Sequence, residues 1–354
     1  MGALSYNTIA AMTAGFLLVL VAVPLLRAPA HHIDLVDRAG GRKNHACDVP
    51  LIGGLAMFAA IGIAMMLIDA PLRPFASLVA GMGILLAIGV IDDLIDMTAG
   101  AKLFAQIVVA VLMVSWGEVQ VHSLGNLFGV HPIMLGEWAI PFTVLATLLL
   151  INGINMADGT DGLAGGMTAV ALVMLLVAAV MGGAHRSFVA VNAVMLAAVI
   201  GFLCYNIRVP GRRYATVFMG DSGSMMLGFA LAWMAVYLSQ VESVDIYPVA
   251  IAWILVLPVL DVVSLYFRRL MKGRSPFAAD REHLHHVLLR SGFSVTKTVW
   301  GLLGVMALFG ALGLVGWRQQ WPEYWLFAGL IPVFGAHYLC SVRAWRIMRY
   351  LQRQ

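Results

Sequence analysis

Four short stretches of this chain gather the residue types that do chemistry. "GVIDDLID" (89–96) sets Asp92 beside Asp93, and "INGINMADGTDGLAGG" (151–166) places Asn152, Asn155, Asp158 and Asp161 three residues apart. "VFMGDSGS" (217–224) sets Asp221 between a glycine and a serine, and "SPFAADREHLHH" (275–286) ends in His283, His285 and His286 close to Arg281. On a helix, residues three apart project in neighbouring directions. Amide and carboxylate oxygens so placed on a loosened helix end suit a hard cation. Magnesium fits, because it takes oxygen ligands, keeps several waters and is usually completed by substrate phosphates. The histidines lack the HExxH spacing and a cysteine partner, so zinc is the lesser option. Beside arginine they serve better as donors to phosphate oxygens or sugar hydroxyls. Oxygen ligands faced by His, Arg and Lys point to phosphoryl transfer, in which a protein mainly positions and neutralises.

Plainer accounts compete for each residue. Asn, Asp and Gly are the ordinary caps of helices, which explains one Asn and one Gly of the second stretch but not the whole of it. Asp221 reads either as an N-cap or as a metal ligand whose neighbouring amides and Ser222 face phosphate. Phe218 is either core or a stacking surface for a base. Lone histidines such as His185 and His337 read as structural.

The elements that hold these stretches are apolar. Of 354 residues 61% are hydrophobic and 11% charged, with mean hydropathy +0.90, against roughly a quarter charged in soluble chains. The chain therefore reads as an all-α polytopic membrane protein, one integral membrane domain over 1–354. About 20 apolar residues make a helical span, and eleven runs are expected: 7–26, 52–68, 75–91, 103–116, 139–154, 163–181, 188–206, 225–239, 247–267, 298–316 and 324–341. With the N-terminus outside and the C-terminus inside, all of the 22 Lys and Arg except Arg73, Arg186 and Arg318 fall on the inner side. That asymmetry is what the positive-inside rule requires. The first run has no basic residue ahead of it and reads as a retained helix, not a cleaved signal. The net charge of +4 is then inner-leaflet anchoring and not a nucleic-acid surface. Three cysteines, all at the inner side, imply no disulfide framework. The outer segment 117–138 is expected to form a small hairpin.

All four chemical stretches thus fall at the inner face. Carboxylates cost about 2.5 to 3.5 kcal/mol in mid-span, so acids at helix ends are usually turned into a polar cavity. The combination resembles the polyprenyl-phosphate N-acetylhexosamine-1-phosphate transferase family, over nearly the whole chain. The residues that carry the likeness are "RKNHACDVPLIGG" (42–54), "DDLIDMTAGAKL" (92–103), "NGINMADGTDGLAGG", "VFMGDSGS" and "PFAADREHLHH". The HxHH form is similar to the bacterial branch that uses N-acetylglucosamine, whereas the branch that moves phospho-N-acetylmuramoyl-pentapeptide typically has three consecutive histidines. The resemblance implies that Asp221 and Asn155 hold Mg²⁺, with Mn²⁺ as an alternative, and that Asp161 and Phe218 recognise the uracil. It further implies Lys43 and Asn206 in the nucleotide pocket and Lys102 on phosphate. Arg281, Arg269 and the three histidines would handle sugar and pyrophosphate. The implied partners are UDP-N-acetylglucosamine, undecaprenyl phosphate and the bilayer of a bacterial inner membrane, with no nucleic acid and with a homodimer as an option. The implied reaction is the first membrane step of a cell-surface polysaccharide such as lipopolysaccharide.

Asp92, Asp93 and Asp158 remain as candidate catalytic acids. A phosphate monoester is already mostly dianionic at pH 7, its second pKa lying near 6, so a strong base is not required. Direct attack by the lipid phosphate, with Asp92 or Asp93 as base or organiser of cations, is favoured over a covalent phospho-aspartate. Two other classes compete. A transporter or flippase would place its acids near mid-span in paired halves, and a polyprenyl-pyrophosphate phosphatase would not need Asp161 and Phe218.

Overall fold

The computed structural model describes residues 5–38, 48–212, 214–271, 273 and 283–342. Among them run thirteen α-helices and a single antiparallel two-stranded ladder. Helix α1 (Tyr6–His32) begins where Ser5 Oγ accepts the amide of Thr8 at 3.2 Å. Strands β1 (Val36–Asp37) and β2 (Val49–Pro50) pair next, an element the apolar pattern does not announce. Helices α2 (Gly53–Met65), α3 (Ala76–Ile95), α4 (Ala99–Ser115), α5 (Ala139–Ala157), α6 (Leu163–Gly182) and α7 (Arg186–Asn206) follow. The second half holds α8 (Gly220–Gln240), α9 (Pro248–Ile254), α10 (Val256–Met271), α11 (Leu284–Arg290), α12 (Val295–Arg318) and α13 (Glu323–Val342).

Seven of these helices are long and apolar enough to cross a membrane, and an eighth span results if α9 and α10 count as one bent helix. The protein is an all-α polytopic membrane protein. Each of the other expected runs coincides with a helix: α2 and α4 are shorter apolar helices of 13 and 17 residues, and α13 has 20. The run expected at 247–267 is broken, α9 and α10 meeting at 82°. Pro258 explains the break: it has no amide to bond the Ile254 carbonyl four residues back, and its ring crowds that turn. The hairpin expected over 117–138 contracts to one antiparallel bridge, Ser123 with Met134, and a 3-10 turn at Gly136–Trp138.

Helix α8 is the axis of the bundle. It is apolar all round and buried from Ser222 to Val236, as a helix enclosed by others must be. Helices α3 and α5 pack along it, α1 packs on α7, α7 on α6, and α12 on both α6 and α9. Lipid is as apolar as a leucine side chain, so such contacts rest on close packing of small residues. At Gly89 of α3 a Cβ would stand 2.2 Å from the Ser222 Cα, so only glycine lets α3 meet the start of α8. At the far end Trp233 donates its indole N–H to Ser77 Oγ at 3.0 Å and stacks on Tyr237, ring centres 5.0 Å apart. A buried indole without such a partner would be costly.

Candidate active site

The site grows from the end of α3. The apolar run stops at residue 91, but the helix continues to Ile95, so Asp92 and Asp93 stand in its last turn. Asp96 then takes a left-handed backbone, φ 53°, a conformation Asp tolerates better than most residues. Two residues later Thr98 caps α4. This tight reversal returns Lys102, one turn into α4, to the helix it came from. Its ammonium lies 2.9 Å from Asp92 Oδ2, while Asp92 Oδ1 accepts the Met97 amide at 2.8 Å.

Asp93 points the other way and ends on α8. Its two oxygens accept the amides of Asp221 (3.0 Å) and Ser222 (3.3 Å). The first amides of a helix have no partner within it, and the residue ahead of α8 supplies no side-chain cap. A carboxylate from another helix does so instead. Gly220 makes room, with φ +72° and a position where a Cβ would stand 2.5 Å from Asp93 Oδ2. Asp158, which follows α5, faces this helix end, and the Gly220 amide there favours its charged form. Burial pushes the Asp158 carboxyl well above the usual carboxylate range, and the negative charges of Asp221, Asp93 and Asp161 push it the same way.

Asp221, in the first turn of α8, joins the two halves. Its Oδ2 lies 3.1 Å from Lys102 Nζ and its Oδ1 accepts from Asn155 Nδ2 at 3.0 Å. Asn155 Nδ2 also reaches Ser224 Oγ at 2.9 Å. Asp92, Lys102, Asp221 and Asn155 therefore form one continuous chain across α3, α4, α8 and α5. Below it, Asn152 donates to Gln106 Oε1 at 2.8 Å and ties α5 to α4.

The donor set fits a hard cation. Lys102 already places a positive charge between the carboxylates of Asp92 and Asp221. Asn155 meets Asp221 through its amide nitrogen, and the same side chain turned about presents an oxygen to that point. Among the described residues no cluster of three or more His, Cys, Asp or Glu could hold a metal alone. One carboxylate and one amide with phosphate oxygens is the coordination habit of magnesium and not that of zinc.

A second group lies across the α5–α6 turn. Asp161 Oδ2 accepts from Arg208 Nε at 2.7 Å and from the Ala215 amide at 3.0 Å, and the Arg208 guanidinium sits 5.2 Å from the centre of the Tyr214 ring. Asn206 is buried, accepting the Gly162 amide at 2.8 Å and donating to the Val217 carbonyl at 2.9 Å. Both its polar atoms serve the backbone, joining the start of α6 to the loop before α8. Phe218 is half-buried in that loop, where its amide donates to the Pro50 carbonyl and its own carbonyl accepts from Gly53, each at 3.0 Å.

The histidines approach from α11. The rings of His283 and His285 are near-parallel at 5.7 Å, and His285 and His286 are 4.2 Å apart. His285 Nε2 stands 3.6 Å from where a Cβ on Gly159 would be, so the cluster abuts the turn between Asp158 and Asp161. Burial lowers the His285 imidazole to about 3, with the neighbouring His286 and His283 adding to the shift and Asp261 opposing it. Asp261 of α10 accepts from His283 Nδ1 at 2.8 Å. Arg269, on the same helix, is buried. Lys43 and Arg281 lie outside the described residues.

Sequence reasoning missed Arg208, Ser224 and Asp261. Asp261 carried a signal, being a lone acid in the apolar run "LVLPVLDVV", where a charge needs a reason. Arg208 carried none beyond its sign.

A bundle of apolar helices long enough to span a membrane, with a cationic and carboxylate chain at the helix ends, is the architecture of a polytopic membrane protein equipped to meet phosphate. Residues 75–239 match the model of the family described as glycosyl transferase family 4, and this span holds the site from Asp92 to Asp221. Curated relatives named undecaprenyl-phosphate alpha-N-acetylglucosaminyl 1-phosphate transferase align along almost the entire length. The protein from Yersinia pestis is 33% identical over 328 residues, covering 92% of this chain and 89% of its own. That from Escherichia coli (strain K12) is 33% identical over 329 residues, with the same shares. The protein from Haemophilus influenzae is 32% identical over 335 residues, 93% of this chain and 92% of its own. The chain belongs to this family of membrane transferases.

Proposed function

We propose that this protein transfers N-acetylglucosamine 1-phosphate from UDP-N-acetylglucosamine to undecaprenyl phosphate, releasing UMP. The observation that carries this reading is the Lys102 ammonium held between Asp92 and Asp221 at 2.9 and 3.1 Å, a cationic point framed by acids where two anionic substrates must meet. The names and coverage of the relatives support the donor and acceptor. Eleven spans, an outer N-terminus and an inner C-terminus put the site at the cytoplasmic face of the inner membrane, where a nucleotide arrives from water and a lipid phosphate from the bilayer. An apolar groove of about 760 Å³ between α5, α8, α9, α10 and α13 reaches Leu260, next to Asp261, and offers a path for a polyprenyl tail.

In the reaction an oxygen of the lipid phosphate attacks the phosphorus that carries the sugar. The bond from that phosphorus to the bridging oxygen breaks, and UMP leaves with the oxygen. Two anions approaching one another must be neutralised. Lys102 does so from this chain, and Arg281 joins it in the proposed assignment. Asn155 and Asp221 would hold Mg²⁺, which supplies charge to the phosphate oxygens when bound. Asp93 has both oxygens on amides of α8, which supports a positioning role. Asp92, paired with Lys102, is the organiser of cations at the acceptor, and neither acid is poised as a nucleophile. Asp161, held by Arg208, and Phe218 take the uracil, with Lys43 alongside and Asn206 bracing their loop. Asp158 supports the start of α8, and His283, His285, His286 and Arg269 serve the sugar pyrophosphate.

The test is a panel of UDP-sugars with Mg²⁺, Mn²⁺ or chelator, with and without undecaprenyl phosphate, scoring UMP and the lipid product. The expected result is UMP release that requires metal and acceptor together and is fastest with UDP-N-acetylglucosamine. Metal-dependent UMP release without acceptor would sink the reading. Exchange of labelled UMP into UDP-sugar by lipid-free enzyme would instead establish a covalent intermediate.

A further inference from the structure

Asp261 is the one carboxylate in the described part of α10, in a stretch otherwise apolar from Val256 to Val263. A charge there is expensive unless it is held, and three groups among the described residues face it. Its Oδ2 lies 2.8 Å from His283 Nδ1, and its Oδ1 accepts the Leu284 amide at 3.2 Å, so it caps the first turn of α11. From α13, His337 Nε2 stands 3.5 Å from Oδ1, beyond a normal hydrogen bond, while His337 Nδ1 is bonded to Ser264 Oγ at 2.9 Å. Asp261, Ser264 and His337 thus make a polar brace between α10 and α13 that ends on the first histidine of the HxHH segment.

A carboxylate facing Nδ1 has one chemical effect on an imidazole. It accepts the Nδ1 proton and so leaves Nε2 as the atom directed at other partners, while fixing the plane of the ring. The stacking of His283 on His285, at 11° and 5.7 Å, carries that orientation into the rest of the cluster. Turning the ring would break its contact with Oδ2, while Oδ1 stays on the Leu284 amide and keeps the carboxylate in place.

We propose that Asp261, steadied by His337 and Ser264, is the positioning residue of the sugar-phosphate site, setting the tautomer and plane of His283. This rests on the reading above, in which the histidines act on the sugar pyrophosphate. A simple cap of α11 would give the same contacts with Leu284 but would not act through the imidazole, and this difference is measurable.

The experiment uses full-length enzyme in detergent with Mg²⁺, UDP-N-acetylglucosamine and undecaprenyl phosphate, comparing Asp261→Asn, His283→Asn and the double variant. Carboxylates that orient metal-bound histidines typically cost about 10- to 100-fold when removed, and the same scale is taken for a carboxylate that orients a histidine acting on phosphate. Asp261→Asn is therefore expected to lower kcat by about 10- to 100-fold with either KM within about 3-fold. On the His283→Asn background the same change is expected to cost under about 2-fold, since residues acting as one unit are not additive. Equal losses on both backgrounds, or an Asp261→Asn enzyme with wild-type kcat, would overturn the proposal. A second measurement leaves Asp261 in place and does not use activity. In ¹⁵N-histidine-labelled protein, the resonance missing from His283→Asn should belong to an Nδ1–H imidazole. An Nε2–H tautomer there overturns the proposal even if Asp261→Asn does not fold. An Nδ1–H tautomer in a protein inactive on UDP-N-acetylglucosamine would count against the proposed reaction and leave the Asp261–His283 assignment standing.

Discussion

At the scale of single residues, neighbouring acids have different work. Asp93 spends both oxygens on α8, whereas Asp92 faces Lys102. Capping and charge at a helix start are each worth roughly 1 kcal/mol, reaching about 2 in partly buried settings. Asp93→Asn should therefore lower unfolding stability by about 1 to 2 kcal/mol as well as activity. Asp92→Asn should cost about 100-fold in kcat with a smaller change in stability, and equal thermal unfolding of the two variants would refute the division. His285 gives a prediction in pH. Its folded-state value of about 3 lies below the usual 6.5, so between these values the unfolded chain binds the extra proton. Stability is present above pH 6.5 and drains away as pH falls from 6.5 toward 3, approaching about 1.4 kcal/mol per unit for this group. His285→Gln should flatten thermal unfolding against pH between 6.5 and 5, and an unchanged slope would count against it. The acids and histidines themselves were legible in the chain, because type and spacing sufficed. Their holders were not, since Arg208 lies 47 residues from Asp161 and Asp261 lies 22 from His283, and nothing local records such pairings.

At the scale of elements, polarity gathers where helix ends meet, and closeness depends on what side chains leave out. A Cβ at Gly89 would press into the Ser222 backbone, and backbone cannot swing aside as a flexible side chain can. Gly89→Ala should force α3 away from α8, costing about 1 to 3 kcal/mol as overpacking usually does, and lengthening the contacts of Asp93 with the α8 amides. Wild-type stability and kcat in that variant would show that the contact is not needed. Helix existence was legible from apolar runs. Two ends were not: α3 outruns its apolar run by a turn, and α8 starts at Gly220 instead of near 225. Each end is stabilised from another helix, which a local pattern does not reveal. The bend before Pro258 was equally hidden, because an apolar stretch of the right length reads as one span whether straight or broken.

At the scale of the whole molecule, orientation is the property with the widest reach. In the orientation proposed from the distribution of Lys and Arg, the loop around Pro210 is inside and the loop around Val130 outside, and both residues are exposed. In a background with Cys47, Cys204 and Cys340 replaced by serine, a membrane-impermeant maleimide should label Val130→Cys in intact spheroplasts. It should label Pro210→Cys only after permeabilisation. The reverse pattern would put the site on the wrong face for a soluble nucleotide.

The bond from Asp93 to the start of α8 also bears on how the protein is made. Its two ends are 128 residues apart, so during synthesis α3 enters the membrane well before its partner exists. Until α8 arrives, Asp92 has Lys102 and the Met97 amide beside it, while Asp93 lacks the two amides that hold it in the folded protein. An unpartnered Asp93 is thus a burden on the nascent chain, and the arrival of α8 relieves it. On the proposed reading of Asp221 as a metal ligand, the same arrival completes the site, so that assembly and competence coincide.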